Sequence, residues 1–590
     1  MLKVVLVQLP IPPLGPEVIR GNVPLAPGYL KQYGFRVGRL SAEVEILPPQ
    51  LVDQAGDAAL VRAIAERQAD LIGFSCYVWN VERSLAIARR LRESQPNLRV
   101  VIGGPEVTWD NAWLLNHAAI DWAVIGEGEA TFADLLAALA ENPAWLNHPE
   151  ELPQIPGLWN RASGCHGGVR PQLPNLNDVG RVYLDGIIDP LWHDSLFLET
   201  IRGCVFHCAF CYYPKNFQNL SSMNRELVLE NLALARDRGV SEVFLLDPTL
   251  NQRRDFAAFL DLLARGNCEG RFRYSAELRA EGIRPEHAQL MKAANFAEVE
   301  LGLQSLGRQA QELMRRRINL PAFEKGVRAL MEVGIRVRAD LIIGLPGDTA
   351  ETVRKGLDYL SKSGLYHEPQ VFRLSVLPGT EFRRRREELG LVYQPHPPYF
   401  VLKTPTLSSQ DLLDLMREAE ATFDTEFDPW PITDDEFSLD CLQHRGSLWQ
   451  IDLDHPERGR LADIQIAHTL WFKAQQFTGR AADVCHWINL VLDENPHVTL
   501  WIVFDVTDAK GLPNGEDMSL IIQCCYRREL SYWDWCLSLH PRPGRIGAKR
   551  IVIYTQRPLK ARERRLTRDL LPFADVVEPS SIQMTGNRST

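Results

Sequence analysis

IRGCVFHCAFCYYPK, residues 201–215, sets Cys204, Cys208 and Cys211 in a C-x3-C-x2-C spacing. Three thiols this close on a Gly-preceded loop can converge on one soft metal centre, and thiolate is the preferred ligand of iron–sulfur clusters. A cubane cluster has four irons, so three cysteines leave one iron open to a small chelating ligand. The alternatives are incidental cysteines or a partial zinc site. Structural zinc takes four protein ligands, commonly as two C-x2-C pairs, and no second pair follows here.

Outward from this stretch, residues 195–399 alternate strand and helix signals. Strands are expected at 196–201, 242–246, 272–277, 298–303, 337–343 and 370–376. Helices are expected at 226–239, 256–264, 285–294, 321–333 and 352–363. Six such units predict a partial parallel barrel, whose active residues gather at the carboxyl ends of its strands. Those ends carry Asp247 in LLDPTLN, Glu277 in SAELRAEG, Glu300 and Gln304 in VELGLQSL, and Gly344 and Pro346 in DLIIGLPGDT. A carboxylate at a strand end also commonly caps a helix or pairs with a cation. The runs at 315–317 and 383–386 are arginine-rich and read as solvated helix faces.

The chain from 1 to 141 alternates in the same way, with apolar strands at 2–9, 71–75, 99–102 and 122–125 and helices at 58–67, 81–93 and 131–139. Buried strands separated by helices predict a doubly wound parallel sheet, which binds ligands beyond the carboxyl ends of its strands. The loops there read SCYVWN, GGPEVT and GEGEAT. Their glycines can be plain turn residues or places where backbone approaches a ligand. Residues 142–194, rich in Pro, Gly, Asn and Asp, read as a linker.

SLFLETIRGCVFHCAFCYYPK, with Phe210 just ahead of the third cysteine, resembles the radical S-adenosylmethionine superfamily. That resemblance makes Cys204, Cys208 and Cys211 the ligands of a [4Fe–4S] cluster whose open iron chelates S-adenosylmethionine. It puts Asp247 against the methionine amino group, Glu277 at the ribose or methionine moiety, Glu300 and Gln304 at the next strand end, and Gly344 to Pro346 at adenine. VVIGGPEVT and WAVIGEGEATF are similar to the cobalamin-binding domain that precedes the radical domain in one branch of the superfamily. By that likeness Gly103, Gly104, Pro105, Glu106, Gly126, Glu127, Gly128 and Glu129 surround the corrin and its nucleotide tail. The D-x-H-x-x-G motif that supplies a histidine to cobalt is missing, so Tyr77, Val78 or Trp79 is expected beneath the lower face. Tyr77 and Trp79 are equally readable as packing aromatics.

The patterns and the resemblance together predict an α/β protein in three parts. They are an N-terminal doubly wound cobalamin-binding domain at 1–141, a central (βα)6 radical SAM partial barrel at 195–400, and a small C-terminal α/β domain at 401–590. The last could bind substrate. The implied activity is methylation of an unactivated carbon by way of methylcobalamin and a 5′-deoxyadenosyl radical. The alternatives are a non-methylating oxidation, cyclisation or ring contraction with the same cofactors, and a cofactor-binding sensor without turnover. An electron donor such as flavodoxin or ferredoxin would be needed, with a small molecule or peptide as substrate.

Composition excludes other classes. The 590 residues are 45% hydrophobic and 24% charged, ordinary for a globular protein of several domains. A net charge of −10 gives no basic surface for nucleic acid. Eleven irregularly spaced cysteines suit a reducing compartment, so a cytoplasmic location is expected. MLKVVLVQLPIPP reads as a first buried strand and not a signal peptide, and no apolar run approaches the ~18 residues of a membrane span. Beyond residue 402, strand-like runs at 448–453, 498–505 and 550–555 flank helical patterns at 462–476 and 481–493, and half of the 14 tryptophans lie after Asp428. These tryptophans read as core before they read as a substrate pocket.

Overall fold

Five parallel strands build the first sheet: β1 (Leu2–Val7), β2 (Ala42–Ile46), β3 (Leu71–Ser75), β4 (Arg99–Gly103) and β5 (Trp122–Val124). The computed structural model describes residues 1–38, 42–213, 219–427, 432, 437–445, 447–455, 464–507, 511–527, 529–539 and 544–578. The strands lie in the order β2-β1-β3-β4-β5. They are apolar on both faces because helices cover both. Val5, Ile72 and Val100 pack with Leu60, Leu85 and Leu91 on one side. Val4, Leu71 and Val101 pack with Phe132, Leu135 and Leu139 on the other. The chain leaves β1 for β2 on one side and returns to β3 on the other, so the topological switch point falls between β1 and β3. The sequence pattern missed the helix Leu25–Arg36, whose LAPGYLKQYGFR carries a proline and two glycines, and β2.

The segment read as a linker begins as part of this sheet. Leu158–Asn160 (β6) and Cys165–His166 (β7) add to β5 as antiparallel edge strands. Strands of three and two residues, LWN and CH, are too short to show a period, which is why composition alone gave a linker.

The second sheet is the predicted partial barrel. Ser195–Leu198 (β8) leads into a small antiparallel ribbon, Ile201–Arg202 (β9) with Ser221–Ser222 (β10), that brackets the cysteine loop. The remaining strands are Glu242–Leu245 (β11), Arg273–Leu278 (β12), Phe296–Gln304 (β13), Arg336–Ile343 (β14) and Glu368–Arg373 (β15). Six strands run parallel in the order β15-β14-β13-β12-β11-β8. Strand alternation sorts the side chains. Leu196, Val243, Tyr274, Val299 and Val337 join the core beneath the helices. The alternate positions, among them Glu277, Glu300 and Asp340, face the lumen. Arg383 is not solvated as its run suggested: it is buried and donates to the Val376 carbonyl, while its neighbours Arg385 and Arg386 do pair with glutamates at the surface.

After the ribbon Val392–Tyr393 (β16) with Val401–Lys403 (β17) comes the helix Ser409–Phe423 and then a third sheet. Its strands are Ser447–Asp452 (β18), Ala467–Lys473 (β19), Thr499–Val506 (β20), Arg545–Ile546 (β21), Lys549–Thr555 (β22) and Asp575–Val577 (β23). The order is β18-β19-β20-β22-β21, with β23 pairing β22. Of the helix expected at 462–476, residues 462 and 463 lie outside the described residues, and 467–473 form the inner strand β19. An apolar run buried on both faces has no period to separate strand from helix. Trp471 and Trp501 are fully buried core, as expected.

This third sheet is docked on the first. Gly56 N donates to Ile464 O (3.1 Å) and Ile466 N to Gln54 O (2.8 Å), continuing backbone pairing from one domain into the other. Beside this seam the buried Arg83–Asp57 ion pair (2.7 Å) receives the His497 amide on its second carboxylate oxygen (2.9 Å).

Candidate functional site at the meeting of two domains

The cysteine loop is held from below. Asp247, at the end of β11 and 1% exposed, accepts from Thr200 N (2.7 Å), Thr200 Oγ1 (2.5 Å) and Ile201 N (2.9 Å). Burial pushes its pKa up to about 6 against these hydrogen bonds. Its carboxylate is thus turned to the base of the loop, a different position from the methionine-facing one expected of it. Gln252 spans the next residues, accepting from Val205 N and donating to Gly203 O, both at 3.0 Å. Cys204 Sγ lies 3.9 Å from Thr249 Oγ1, and Arg279 stacks 4.0 Å over Phe206. Cys208 is buried, and Cys204 and Cys211 are half-buried.

Three thiols with no fourth ligand pair suit a cubane with one open iron better than a four-coordinate structural zinc. Among the described residues, the His/Cys/Asp/Glu group whose ligand atoms all lie within 4.8 Å of one another is the exposed trio His148, Glu150 and Glu151. Three cysteines that each hold a different iron require a wider spacing than three that share one zinc.

Above the loop, the lumen carries a run of acids. Glu277 and Glu300 are register partners on β12 and β13, and Asp340 on β14 pairs with Gly302. Burial and Glu300 push the Glu277 pKa to about 7. Asp340 is driven to about 9 by burial, Glu300 and Glu277, so it is protonated at neutral pH. Gln304 sits at φ +64, with its side chain folded across the inner face of Gly302. One oxygen each of Asp340 and Gln304 is buried without a hydrogen-bond partner, which is the mark of a wall built to meet a polar ligand.

At the β1/β3 switch point lies a cavity of about 850 Å³. Gly103, Gly104, Gly126, Glu127, Gly128 and Glu129 are on its wall, together with Tyr77 and Trp79. Gly104 has φ +104, and a Cβ there would meet the Cys76 carbonyl at 2.6 Å, so only glycine fits. At Gly126 a side chain would project into open space, a cradle left clear along the wall. Tyr77 and Trp79 stack on each other, with centroids 4.7 Å apart and planes at 8°. The opposite wall belongs to the barrel: Phe197, Glu199, Tyr213 and Leu246. The cavity therefore opens towards the strand ends that carry the cysteine loop.

Not every expected residue reaches this space. Val78, Pro105 and Glu106 are off the cavity wall. Glu106 is buried and accepts from Tyr399 OH at 2.7 Å. Gly344, at φ +98, is pressed against Val401 and Leu412, and Pro346 is buried beside it.

Arg202 joins the two halves, and the sequence did not single it out. Its guanidinium meets Glu127 (2.9 Å) and Glu129 (2.8 Å) of the first domain and Glu199 (2.8 Å) of the barrel. The same glutamates that line the cavity thus also hold the residue two places before Cys204. The available signal was a charged side chain at or beside a predicted barrel strand. Asp340, an acid within RVRADLII, was readable on the same ground.

The two halves correspond to two known domain types. A radical SAM superfamily model matches residues 198–360, and a B12 binding domain model matches residues 22–136. Residues 22–136 and 198–360 are thus of the types that bind cobalamin and that bind S-adenosylmethionine with a [4Fe–4S] cluster. The chain is 26% identical to the cobalamin-dependent radical SAM methyltransferase TokK of Streptomyces tokunonensis over 62% of this chain and 56% of that one. It is 25% identical to the 2-(S-pantetheinyl)-carbapenam-3-carboxylate methyltransferase of Streptantibioticus cattleyicolor over 68% and 60%. The chain thus spans little more than half the length of these relatives. The radical S-adenosylmethionine methyltransferase TsrM of Kitasatospora setae shares the fold with TM-score 0.56 and 19% identity, covering 73% of this chain and 90% of that one.

Proposed function

We propose that the chain is a cobalamin-dependent radical S-adenosylmethionine methyltransferase acting on an unactivated carbon of a small molecule. The observation that carries this reading is the shared cavity, floored by the glycine loops of the first domain and walled by the barrel mouth beside the cysteines. When bound, the cluster and S-adenosylmethionine supply hydrogen-atom abstraction and the corrin supplies the methyl group. Cys204, Cys208 and Cys211 hold the cluster, Asp247 and Gln252 fix their loop, and Glu277, Glu300 and Gln304 orient S-adenosylmethionine. Protonated Asp340 donates a hydrogen bond into the lumen. Tyr77 and Trp79, stacked on the cavity wall, would offer a bound corrin an apolar surface and keep water from it. Electrons come from a flavodoxin- or ferredoxin-like donor. The eleven irregularly spaced cysteines suit a reducing cytoplasm.

The test is anaerobic reconstitution with iron, sulfide and hydroxocobalamin, followed by reduction in the presence of S-adenosylmethionine. A methyltransferase forms both S-adenosylhomocysteine and 5′-deoxyadenosine. 5′-Deoxyadenosine alone replaces the reading with the non-methylating radical alternative, and neither product identifies a cofactor-binding protein without turnover.

A further inference from the structure

Residues 401–590 have no role in the site as described so far, yet three of their side chains converge on it. The chain at 9–23 leaves β1 at the switch point, and Ile11, Pro12, Pro13 and Leu14 lie on the cavity wall. Three consecutive carbonyls of this loop accept hydrogen bonds from the C-terminal domain. Trp533 Nε1 donates to Pro12 O (2.6 Å), Thr499 Oγ1 to Pro13 O (2.5 Å) and Trp501 Nε1 to Leu14 O (3.0 Å). Prolines have no N–H to donate to a ladder, and buried carbonyls need a donor, so this stretch depends on partners from outside. Leu14 is seated in an apolar cluster with Trp533, Cys536, Leu537 and Ala548. Trp533 itself is on the cavity wall.

The base of the loop is fixed separately and within the first domain. Gln8 Nε2 donates to Val23 O (2.8 Å), and Asn22 Nδ2 donates to Asp53 Oδ1 (2.6 Å). Loss of the C-terminal contacts would free the tip of the loop and leave its hinge intact.

We infer that the C-terminal domain is a clamp on the cofactor cavity. Trp533, Thr499 and Trp501 act as positioning residues that hold the 9–23 loop closed and so set how long cobalamin stays bound. This rests on the cobalamin reading of the cavity, and it assigns the domain to cofactor retention and not to substrate binding.

The test uses the full chain with its cluster in place, loaded with hydroxocobalamin. Release into an excess of a cobalamin-scavenging protein is followed by absorbance for wild type, Thr499→Val, Trp533→Phe and the double variant. Each lost hydrogen bond is expected to speed release about five-fold, and the pair roughly twenty-five-fold, with iron content unchanged. Wild-type release from a normally folded double variant overturns the inference. Thr499→Val is nearly isosteric and decides the matter alone should Trp533→Phe fail to fold. Tryptic cleavage after the exposed Arg20, on the same loop, gives a second readout that needs no cofactor, and it should quicken in the variants. A wild type that takes up no hydroxocobalamin overturns the cobalamin reading itself, whatever the cleavage rates.

Discussion

Replacing Arg202 by Met should separate the two halves of the site. The arginine side chain is 8% exposed and faces Glu127 and Glu129, each 6% exposed, and Glu199, 16% exposed. One positive charge thus serves three buried carboxylates, and its removal leaves them facing one another in a poorly hydrated pocket. Removing one partner from a buried ion pair costs about 3–5 kcal/mol, most of it the penalty on the charge left behind. At ~2–4 °C per kcal/mol for a unit of about 150–250 residues, that is a fall of roughly 6–20 °C in the melting transition of the affected unit. Calorimetry of the anaerobically purified protein measures it. Burial and Glu129 already raise the Glu127 pKa, and without Arg202 it would rise further above its unfolded value. Groups raised in this way favour the fold at low pH and lose that contribution as pH increases, so the gap between wild type and R202M should widen from pH 5 to pH 8. Adding Glu127→Gln and Glu129→Gln should recover most of the loss. An R202M protein that melts within about 2 °C of wild type at pH 8 would refute the reasoning.

Three further outcomes are expected. Cys208→Ala should reduce bound iron to background and abolish 5′-deoxyadenosine formation, while hydroxocobalamin binding persists. Asp340→Asn should fold normally in the cofactor-free protein at neutral pH, because the wild-type carboxyl is already protonated there with a pKa of about 9. Wild type loses stability relative to D340N as pH climbs from the unfolded carboxylate range towards 9, so chemical denaturation at pH 5, 7 and 8.5 should show a growing advantage for the amide. Trp79→Ala removes about 1.5–3 kcal/mol of apolar contact and should weaken hydroxocobalamin binding by roughly ten- to a hundred-fold, which equilibrium dialysis would read.

Much of this architecture could be read from local pattern. The strand 71–75 and the helix that follows it carry their periods openly, and the six barrel strands announce themselves as apolar runs between amphipathic helices. The cysteine loop is legible because its chemistry is packed into eight residues, Cys204 to Cys211. What escaped were features made by distance in the chain. Glu127 is 75 residues from Arg202, and nothing local tells its role in that pair from its role on a cavity wall. Glu106 and Gly344 sit in stretches that look ligand-facing, yet Tyr399 and Val401, brought in from the end of the barrel, claim them. The strand 467–473 was misread because total burial erases the very alternation that identifies a half-buried strand.

The hydrogen bonds over the cofactor loop join positions 486, 487 and 521 residues apart. A ribosome therefore exposes the chamber's floor long before it makes the fasteners of its roof. Until those last residues are made, the tip of the loop has none of the three donors that hold it.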